Sequence, residues 1–278
     1  MDYNGALLLL LTGLGGIFFT LLFLYEWRKK SVLEKIKKLP FAVEHEAIVS
    51  RTPHYHRLTD ADKLKLQRSI VYFIHIKEFM GIGLEVTDEM KVVIGFYACL
   101  LLIHKGTENC YDNLETIVIY PHSVMVNEVR SHGGIYSKEQ FMIQGQSANN
   151  TVVIAWDEAK RESYHMRHDN VIIHEFAHEI DFMDGEIDGV PPMKNSQYDG
   201  WAHILHKEFN ALNTITHKNR DWGKYELLGA YAATNEAEFF AVITERFFET
   251  PVSLKKDFPE LYDELEGFYQ IDTARIFG

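Results

Sequence analysis

Residues 169–185 (DNVIIHEFAHEIDFMDG) contain side chains whose types and spacing could bind a metal ion. Among them, His174, Glu175 and His178 form the pattern H-E-x-x-H. On a helix, positions i and i+4 lie on one face about one turn apart, so both imidazoles can bind the same ion. The glutamate next to the first histidine can then contact a water molecule on that ion. Two histidine ligands and a general base are the arrangement of a zinc hydrolase.

The helix that must position this motif is strongly apolar. The apolar side chains around the motif are Val171, Ile172, Ile173, Phe176, Ala177, Ile180 and Phe182. Two histidines and a glutamate buried among them would destabilise the fold unless something pairs them, and a metal ion does so. The alternative is a pair of surface histidines beside a solvated glutamate.

A zinc site usually has three protein ligands and an open position for water, so two histidines leave it incomplete. One candidate for the third ligand is Asp184, ten residues after His174. That arrangement needs a glycine at position 181 to turn the chain, and the sequence has Asp181 there. Asp181 could also accept a hydrogen bond from a ligand imidazole, because it follows His178 by three residues on the same helical face. A capping or solvated role for Asp181 fits equally well.

A later segment, residues 231–241 (YAATNEAEFFA), offers two other candidates for the third ligand. Glu236 and Glu238 lie there among apolar and small residues, which is not the composition of a solvated charged face. A buried carboxylate needs a cation. The residues alone therefore leave open which acidic side chain completes the site.

The segments HEFAHEIDFMDG and YAATNEAEFFA resemble those of the Mlc titration factor family of zinc metallopeptidases. The second segment is also similar to the matching part of the protease domain of anthrax lethal factor. The resemblance covers most of residues 58–278. It implies a zincin-like fold, in which a small mixed sheet with a substrate-binding edge strand lies above an active-site helix, with further helices towards the C-terminus.

The resemblance also implies roles for particular residues. His174 and His178 would bind Zn²⁺, and Glu238 rather than Glu236 would be the third ligand. Glu175 would be the general base, and Tyr231 would lie near the metal and donate a hydrogen bond to the developing oxyanion. Members of the family show peptidase activity, with aminopeptidase-like cleavage. One member is linked to the regulation of sugar uptake through binding a transcriptional repressor, but the motifs here concern catalysis and say nothing about such a partner.

Patterns in the rest of the chain predict an α+β domain. Helices near 59–79 and 87–103 precede the predicted strands, which are residues 115–120, 141–144 and 151–156, with a turn at Asn149 and Asn150. The predicted later helices are residues 169–183, 198–213, 233–249 and 257–270. We expect strand 151–156 to lie at the sheet edge, because peptides bind exposed edges by strand addition.

Residues 6–25 form an uncharged, mostly apolar run, which as a helix would be about 30 Å long and match a bilayer core. Trp27 and a group of lysines and arginines follow it. The positive-inside rule then predicts a single-pass membrane protein with its catalytic domain on the cytoplasmic side. The predicted organisation is an anchor at 1–30, a linker at 31–56 and a metallopeptidase domain at 57–278. His54 and His56 in this linker are interpreted as part of a solvated loop.

The net charge of -12 is carried by the C-terminal half, since residues 151–278 have 12 basic and 24 acidic side chains. An acidic surface repels a phosphate backbone, which argues against nucleic acid as a partner. The expected partner is a peptide or protein substrate, with a regulatory protein partner left open. The two cysteines, Cys99 and Cys110, form neither a disulfide framework nor a metal-binding pattern.

Two other functions use the same residues. A zinc amidase acting on non-peptide substrates would need the same ligands and the same base. A regulatory protein-binding module could contain zinc as a structural ion. Glu175 argues against this module, because a structural zinc site is usually closed by four ligands and has no use for a base.

Overall fold

The computed structural model describes residues 3–105, 111–122, 150–166, 169–218 and 221–278. The chain divides into two compact units, Met1–Pro40 and Phe41–Gly278. One long helix, α1 (Tyr3–Ile36), lies in the first unit. None of the described helices combines the length and the apolar character that a membrane span requires. The anchor predicted at residues 6–25 is therefore not confirmed, and the membrane location stays a prediction.

The second unit has the predicted α+β architecture. The helices that precede the H-E-x-x-H motif are α2 (Val43–Val49), α3 (Pro53–Arg57), α4 (Asp60–Ile76), α5 (Asp88–Leu101) and α6 (Trp156–Ser163). The motif lies on α7 (Val171–Asp181). The helices that follow are α8 (Asn195–Lys218), α9 (Glu236–Glu249), α10 (Pro251–Asp257), α11 (Pro259–Tyr269) and α12 (Thr273–Phe277). Short 3-10 turns lie at Phe182–Asp184, Gly223–Leu227 and Tyr231–Ala233.

The sheet contains three described strands in the order β1 (Glu78–Gly81), β2 (Thr116–Tyr120) and β3 (Thr151–Ala155). Both pairs are parallel, with Glu78 opposite Thr116 and Thr116 opposite Thr151. The antiparallel strand that a mixed sheet requires is not among these three described strands, so the prediction of a mixed sheet is not confirmed. Parallel neighbours need a long crossover connection, and α5 lies in the one between β1 and β2. The strand predicted at residues 141–144 and the turn at Asn149 lie outside the described residues.

Strand β1 begins where the sequence patterns predict the end of a helix. The apolar face of the helix predicted at 59–79 continues past its true end, because α4 stops at Ile76 and the next apolar residues belong to β1. The starts of the two predicted helices are confirmed. Thr59 accepts a hydrogen bond from the Asp62 amide at 3.2 Å, and Thr87 accepts one from the Met90 amide at 3.3 Å.

Residues 41–57 differ from the solvated linker that the sequence suggested. They contain α2 and α3 and belong to the second unit. Val49 and His54 are fully buried, and Tyr55 is almost so. The His54 imidazole lies 3.2 Å from the Phe248 carbonyl oxygen. Two prolines and a pair of histidines resemble a loop locally, but contacts with residues far along the chain bury this segment.

Helix α7 packs against α9, and this packing places the H-E-x-x-H motif next to residues 231–241. Asn170 begins α7 by accepting a hydrogen bond from the Ile173 amide at 3.2 Å. The helix ends in the 3-10 turn Phe182–Asp184, after which Gly185 has φ of 98°. Glycine adopts this left-handed conformation without steric conflict, so the chain can leave the helix at that residue.

Candidate metal centre

The side chains of His174, His178 and Glu238 meet where α7 faces the first turn of α9. The Nε2 atoms of the two histidines lie 3.3 Å apart. Glu238 Oε2 lies 3.1 Å from Nε2 of His174 and 3.4 Å from Nε2 of His178. Three potential ligand atoms thus converge on one point, with His174 buried and the other two side chains mostly buried.

The spacing of these three atoms fits a tetrahedral zinc site. Zinc binds imidazole nitrogen and carboxylate oxygen at about 2.0–2.2 Å, so neighbouring ligand atoms in a tetrahedron lie roughly 3.3 Å apart. The observed separations of 3.1, 3.3 and 3.4 Å have this value. Three ligands would leave the fourth position open, which is the coordination of catalytic rather than structural zinc sites.

Glu238 occupies its position because of the cap of α9. Asn235 begins this helix, and its side-chain oxygen accepts a hydrogen bond from the Glu238 amide at 2.8 Å. The Glu238 carboxylate therefore projects from the first turn towards the histidines. The other acidic candidates from the sequence, Glu236 and Asp184, do not belong to the cluster.

Glu245 is a part of the site that sequence reasoning missed. Its Oε1 atom lies 2.7 Å from Nδ1 of His174. When Nδ1 of His174 carries the proton and donates it to this carboxylate, the tautomer of the ring is fixed. Nε2 then has a free lone pair for a metal. The available signal was its spacing, because Glu245 follows Glu238 by seven residues in an apolar helix and therefore lies on the same face.

The carboxylates make this site strongly favourable for a cation. Burial by itself lowers the pKa of His174, but hydrogen bonds to Glu238 and Glu245 raise it to about 10. Burial alone would raise the pKa of Glu238, but hydrogen bonds from His174 and His178 lower it well below its usual range. A divalent ion would replace the proton on His174 as the compensating positive charge.

Two carboxylates, that of Glu245 and that of Glu162, accept hydrogen bonds from amides at the N-terminus of α7. The Asn170 amide donates a hydrogen bond to Glu245 Oε2 at 2.9 Å, and the Val171 amide donates one to Glu162 Oε2 at 2.9 Å. The first amides of a helix have no partner within the helix and carry partial positive charge. Both acidic side chains thus satisfy donors of the helix that presents the histidines, and they fix its start.

Tyr231 lies beside the cluster, as the resemblance implied. Its ring centroid is 5.9 Å from that of His174. Burial and the neighbouring carboxylate of Glu238, to which the hydroxyl is hydrogen-bonded, raise the pKa of Tyr231 well above its usual range. The hydroxyl therefore keeps its proton at neutral pH and can act as a donor.

Glu175 is half-buried on α7, directly after the first histidine. The negative charge of Glu175 contributes to the raised pKa values of His174 and Tyr231. Glu175 is therefore a carboxylate close to the three converging side chains that does not itself belong to them.

Asp181 is fully buried and accepts a hydrogen bond from the Gly189 amide at 2.9 Å through Oδ2. Burial raises its pKa to about 6. This bond ties the loop after α7 to the helix. Asp181 is fully buried and makes no side-chain cap bond, so neither the solvated nor the capping role is observed. Its Oδ1 atom and Nδ1 of His178 have no hydrogen-bond partner among the described residues, so the predicted hydrogen bond to a ligand imidazole is not observed either.

A small sheet and a helix that presents two histidines towards a buried glutamate are the features of a zincin-like metallopeptidase domain. The sequence model of the family described as glucose-regulated metallo-peptidase M90 matches residues 24–270. The chain therefore belongs to this family. Its description implies a metal ion, which the cluster of His174, His178 and Glu238 could hold.

Relatives of similar length support this membership. Uncharacterized protein slr2042 of Synechocystis sp. is 32% identical over 258 residues, covering 89% of this chain and 89% of that protein. Mlc titration factor A of Serratia proteamaculans is 30% identical over 228 residues, covering 79% of this chain and 85% of the relative. Mlc titration factor A of Klebsiella pneumoniae is 31% identical over 228 residues, with 80% and 84% covered. The resemblance drawn from the two motifs is thereby confirmed.

Proposed function

We propose that this protein is a zinc-dependent peptidase that hydrolyses peptide bonds, with aminopeptidase-like cleavage as its expected mode. The observation that carries the proposal is the convergence of three ligand atoms within 3.4 Å of one another. A glutamate that is not among these ligands lies next to them. The description of the family as metallo-peptidase supports the same conclusion.

His174, His178 and Glu238 would hold the ion. When bound, zinc would supply Lewis acidity and would lower the pKa of a water molecule at the site to about 7. Glu175 takes the proton from the attacking water and passes it to the leaving nitrogen. Tyr231 donates a hydrogen bond to the oxyanion that develops on the scissile carbonyl. Glu245 accepts the Nδ1 proton of His174 and so keeps Nε2 directed at the ion.

The substrate backbone is expected to pair with β3. The Asn150 carbonyl accepts a hydrogen bond from the Glu115 amide, so it faces β2. Backbone groups alternate sides along a strand, and the amide and carbonyl of Val153 therefore face away from β2. An extended peptide on that side could bond to both groups.

Val153→Pro tests this pairing. Proline removes a donor that points away from β2, so the ladder between β2 and β3 should survive. We expect kcat/KM to fall at least about fivefold, the equivalent of one hydrogen bond, while zinc content is retained. Val153→Thr, which keeps the amide, is the matched control. Equal losses of zinc and turnover in the proline variant would show that β3 supports the fold rather than the substrate.

Tyr231→Phe is expected to lower kcat about 100- to 1000-fold, which is the effect of removing one oxyanion donor. Zinc affinity should fall less than kcat, because the phenol is not one of the three candidate ligands and only its hydrogen bond to Glu238 is lost. Tyr225→Phe is a suitable control, since Tyr225 lies in another 3-10 turn and its hydroxyl bonds to Glu208 at 2.7 Å. Steady-state kinetics and chelator competition measure the two quantities. If both tyrosine variants lose activity equally, Tyr231 has no special role.

The proposed function is tested by incubating the zinc-loaded chain with a mixed peptide pool, half of it with blocked N-termini. Mass spectrometry identifies the products, and the same chain treated with a chelator is the blank. Cleavage that is absent from the blank and restored by zinc is expected. Retention of the blocked peptides would show trimming from the amino end, and their cleavage would show an endopeptidase. No cleavage at one zinc per chain would contradict the proposal and favour an amidase or a binding protein.

A regulatory role is the second candidate, because several relatives carry the name Mlc titration factor A. In that case the domain would act through a protein partner, and its metal centre would support a binding surface. A partner assay distinguishes the two roles. Binding that is indifferent to the substitution of Glu175 would favour regulation, because a base has no function in a binding surface.

A further inference from the structure

Asn170 lies between the metal centre and a group of buried polar residues. It is fully buried at the start of α7, four residues before His174. Glu249 and His54, on α9 and α3, are also buried. A polar side chain in such a position must be hydrogen-bonded, because an unpaired buried polar group destabilises the fold.

Three different groups of Asn170 are engaged by three different partners. The side-chain oxygen accepts from the Ile173 amide at 3.2 Å and caps α7. The backbone amide donates to Glu245 Oε2 at 2.9 Å. The side-chain nitrogen donates to Glu249 Oε1 at 2.7 Å. Serine or aspartate could provide the cap, but asparagine accepts at its side-chain oxygen and donates from a separate side-chain nitrogen, so one residue reaches both the Ile173 amide and Glu249.

The two glutamates are one helical turn apart on α9, so two carboxylates share one buried region. Glu245 faces His174 at 2.7 Å, and Glu249 lies 3.8 Å from Nε2 of His54. Arg246 reaches Glu245 at 3.9 Å. Donors from Asn170 bond to both carboxylates and hold them at fixed distances from α7. The orientation of His174 therefore depends on a chain of bonds that extends to Glu249.

We propose that Asn170 is a positioning residue of the metal centre. It holds Glu245 and Glu249 against α7, and Glu245 in turn directs Nε2 of His174 towards the ion. This inference rests on the proposed zinc site, and it adds a residue that binds neither metal nor substrate. Loss of such a supporting contact typically lowers metal affinity about 10- to 100-fold.

A helix cap without any role in metal binding would explain some of the same contacts, so the variants must separate the two. Asn170→Asp keeps the cap and the backbone donor, but it places an oxygen against the Glu249 carboxylate. Asn170→Ser keeps a cap and adds no charge. Thr87→Ala removes the cap of α5 and is the control for a loss of stability alone.

Two measurements on the full chain test the proposal. Zinc affinity is read by chelator competition, and the Nδ1 proton of His174 is read by NMR in the metal-free chain. Both Asn170 variants keep the backbone donor to Glu245 but lose the side-chain nitrogen that holds Glu249 one turn further along α9. Both are therefore expected to bind zinc at least tenfold more weakly and to lose or shift this proton signal. Thr87→Ala should lower the melting temperature and leave both readouts unchanged.

Normal zinc affinity and an unchanged His174 signal in both Asn170 variants would overturn the inference and leave the proposed function intact. If the unsubstituted chain bound no zinc, the proposed function itself would fail, and the inference would fail with it. The NMR signal does not need the metal, so it distinguishes a misplaced His174 from a chain that never had a zinc site.

Discussion

Glu175→Gln is expected to lower peptide turnover about 100- to 10,000-fold, which is the range for removal of a general base. Glutamine has the shape of glutamate but cannot accept the proton of the attacking water. Zinc binding should persist, because the side chains that could hold the ion are those of His174, His178 and Glu238. The measurement is kcat on a cleaved peptide, together with zinc content per chain.

Glu236→Gln is the matched control for this substitution. Glu236 is also half-buried and lies two residues before Glu238, but it does not belong to the metal cluster. It should retain both zinc and turnover. Full turnover in Glu175→Gln would exclude Glu175 as the base. Loss of zinc in Glu236→Gln would show that the third ligand has been assigned to the wrong glutamate.

A chain that begins at Leu58 is expected not to fold, whereas one that begins at Phe41 should fold and bind zinc. The shorter chain lacks the fully buried Val49 and the almost fully buried Tyr55. Each large apolar side chain contributes about 1.5–3 kcal/mol when buried. The shorter chain also lacks the contacts of His54 with Phe248 and of Arg57 with Phe277. The combined loss approaches the whole stability of an ordinary domain, about 5–15 kcal/mol.

Circular dichroism and thermal melting of the two chains test this expectation. A cooperative transition in the chain from Phe41 and none in the chain from Leu58 is the expected outcome. Val43→Ala in the longer chain is a control, since Val43 is 77% exposed and should matter little. Cooperative unfolding of the shorter chain at a similar temperature would show that residues 41–57 are the linker that their composition suggested.

Local patterns in the sequence predicted the parts of the site that depend on one helix at a time. The spacing of His174 and His178 fixes their common face, and an apolar surrounding predicts that the face is buried. The choice of Glu238 over Glu236 needed the family resemblance, because spacing alone leaves both carboxylates as candidates. The structure adds the physical reason. Asn235 begins α9, and residues 236 and 238 are two positions apart on this helix, so their side chains point in different directions and Glu238 is the one that meets the histidines.

The contacts that sequence patterns could not predict join residues far apart in the chain. Local patterns place His54 in a loop. They cannot show its contact with Phe248, because that residue is 194 positions away. In the sequence, Glu245 has no feature that marks it out from other helix residues, and its role becomes visible only when α9 is placed against α7. Strand β1 follows a helix with the same apolar character, so periodicity alone does not mark where one ends and the other begins. In each case tertiary packing decided the outcome, not local preference.

The separation of the ligands along the chain has a consequence for the order of folding. His174 and Glu238 are 64 residues apart, and His174 and Glu245 are 71 apart. Contacts over such distances require loop closure before they give any stabilisation, so they form late. Until α9 has docked, the chain can offer an ion only the two histidines of a single helix. We therefore expect the complete metal centre to form as a product of folding, after α9 has docked, and we do not expect zinc to act as the nucleus of folding.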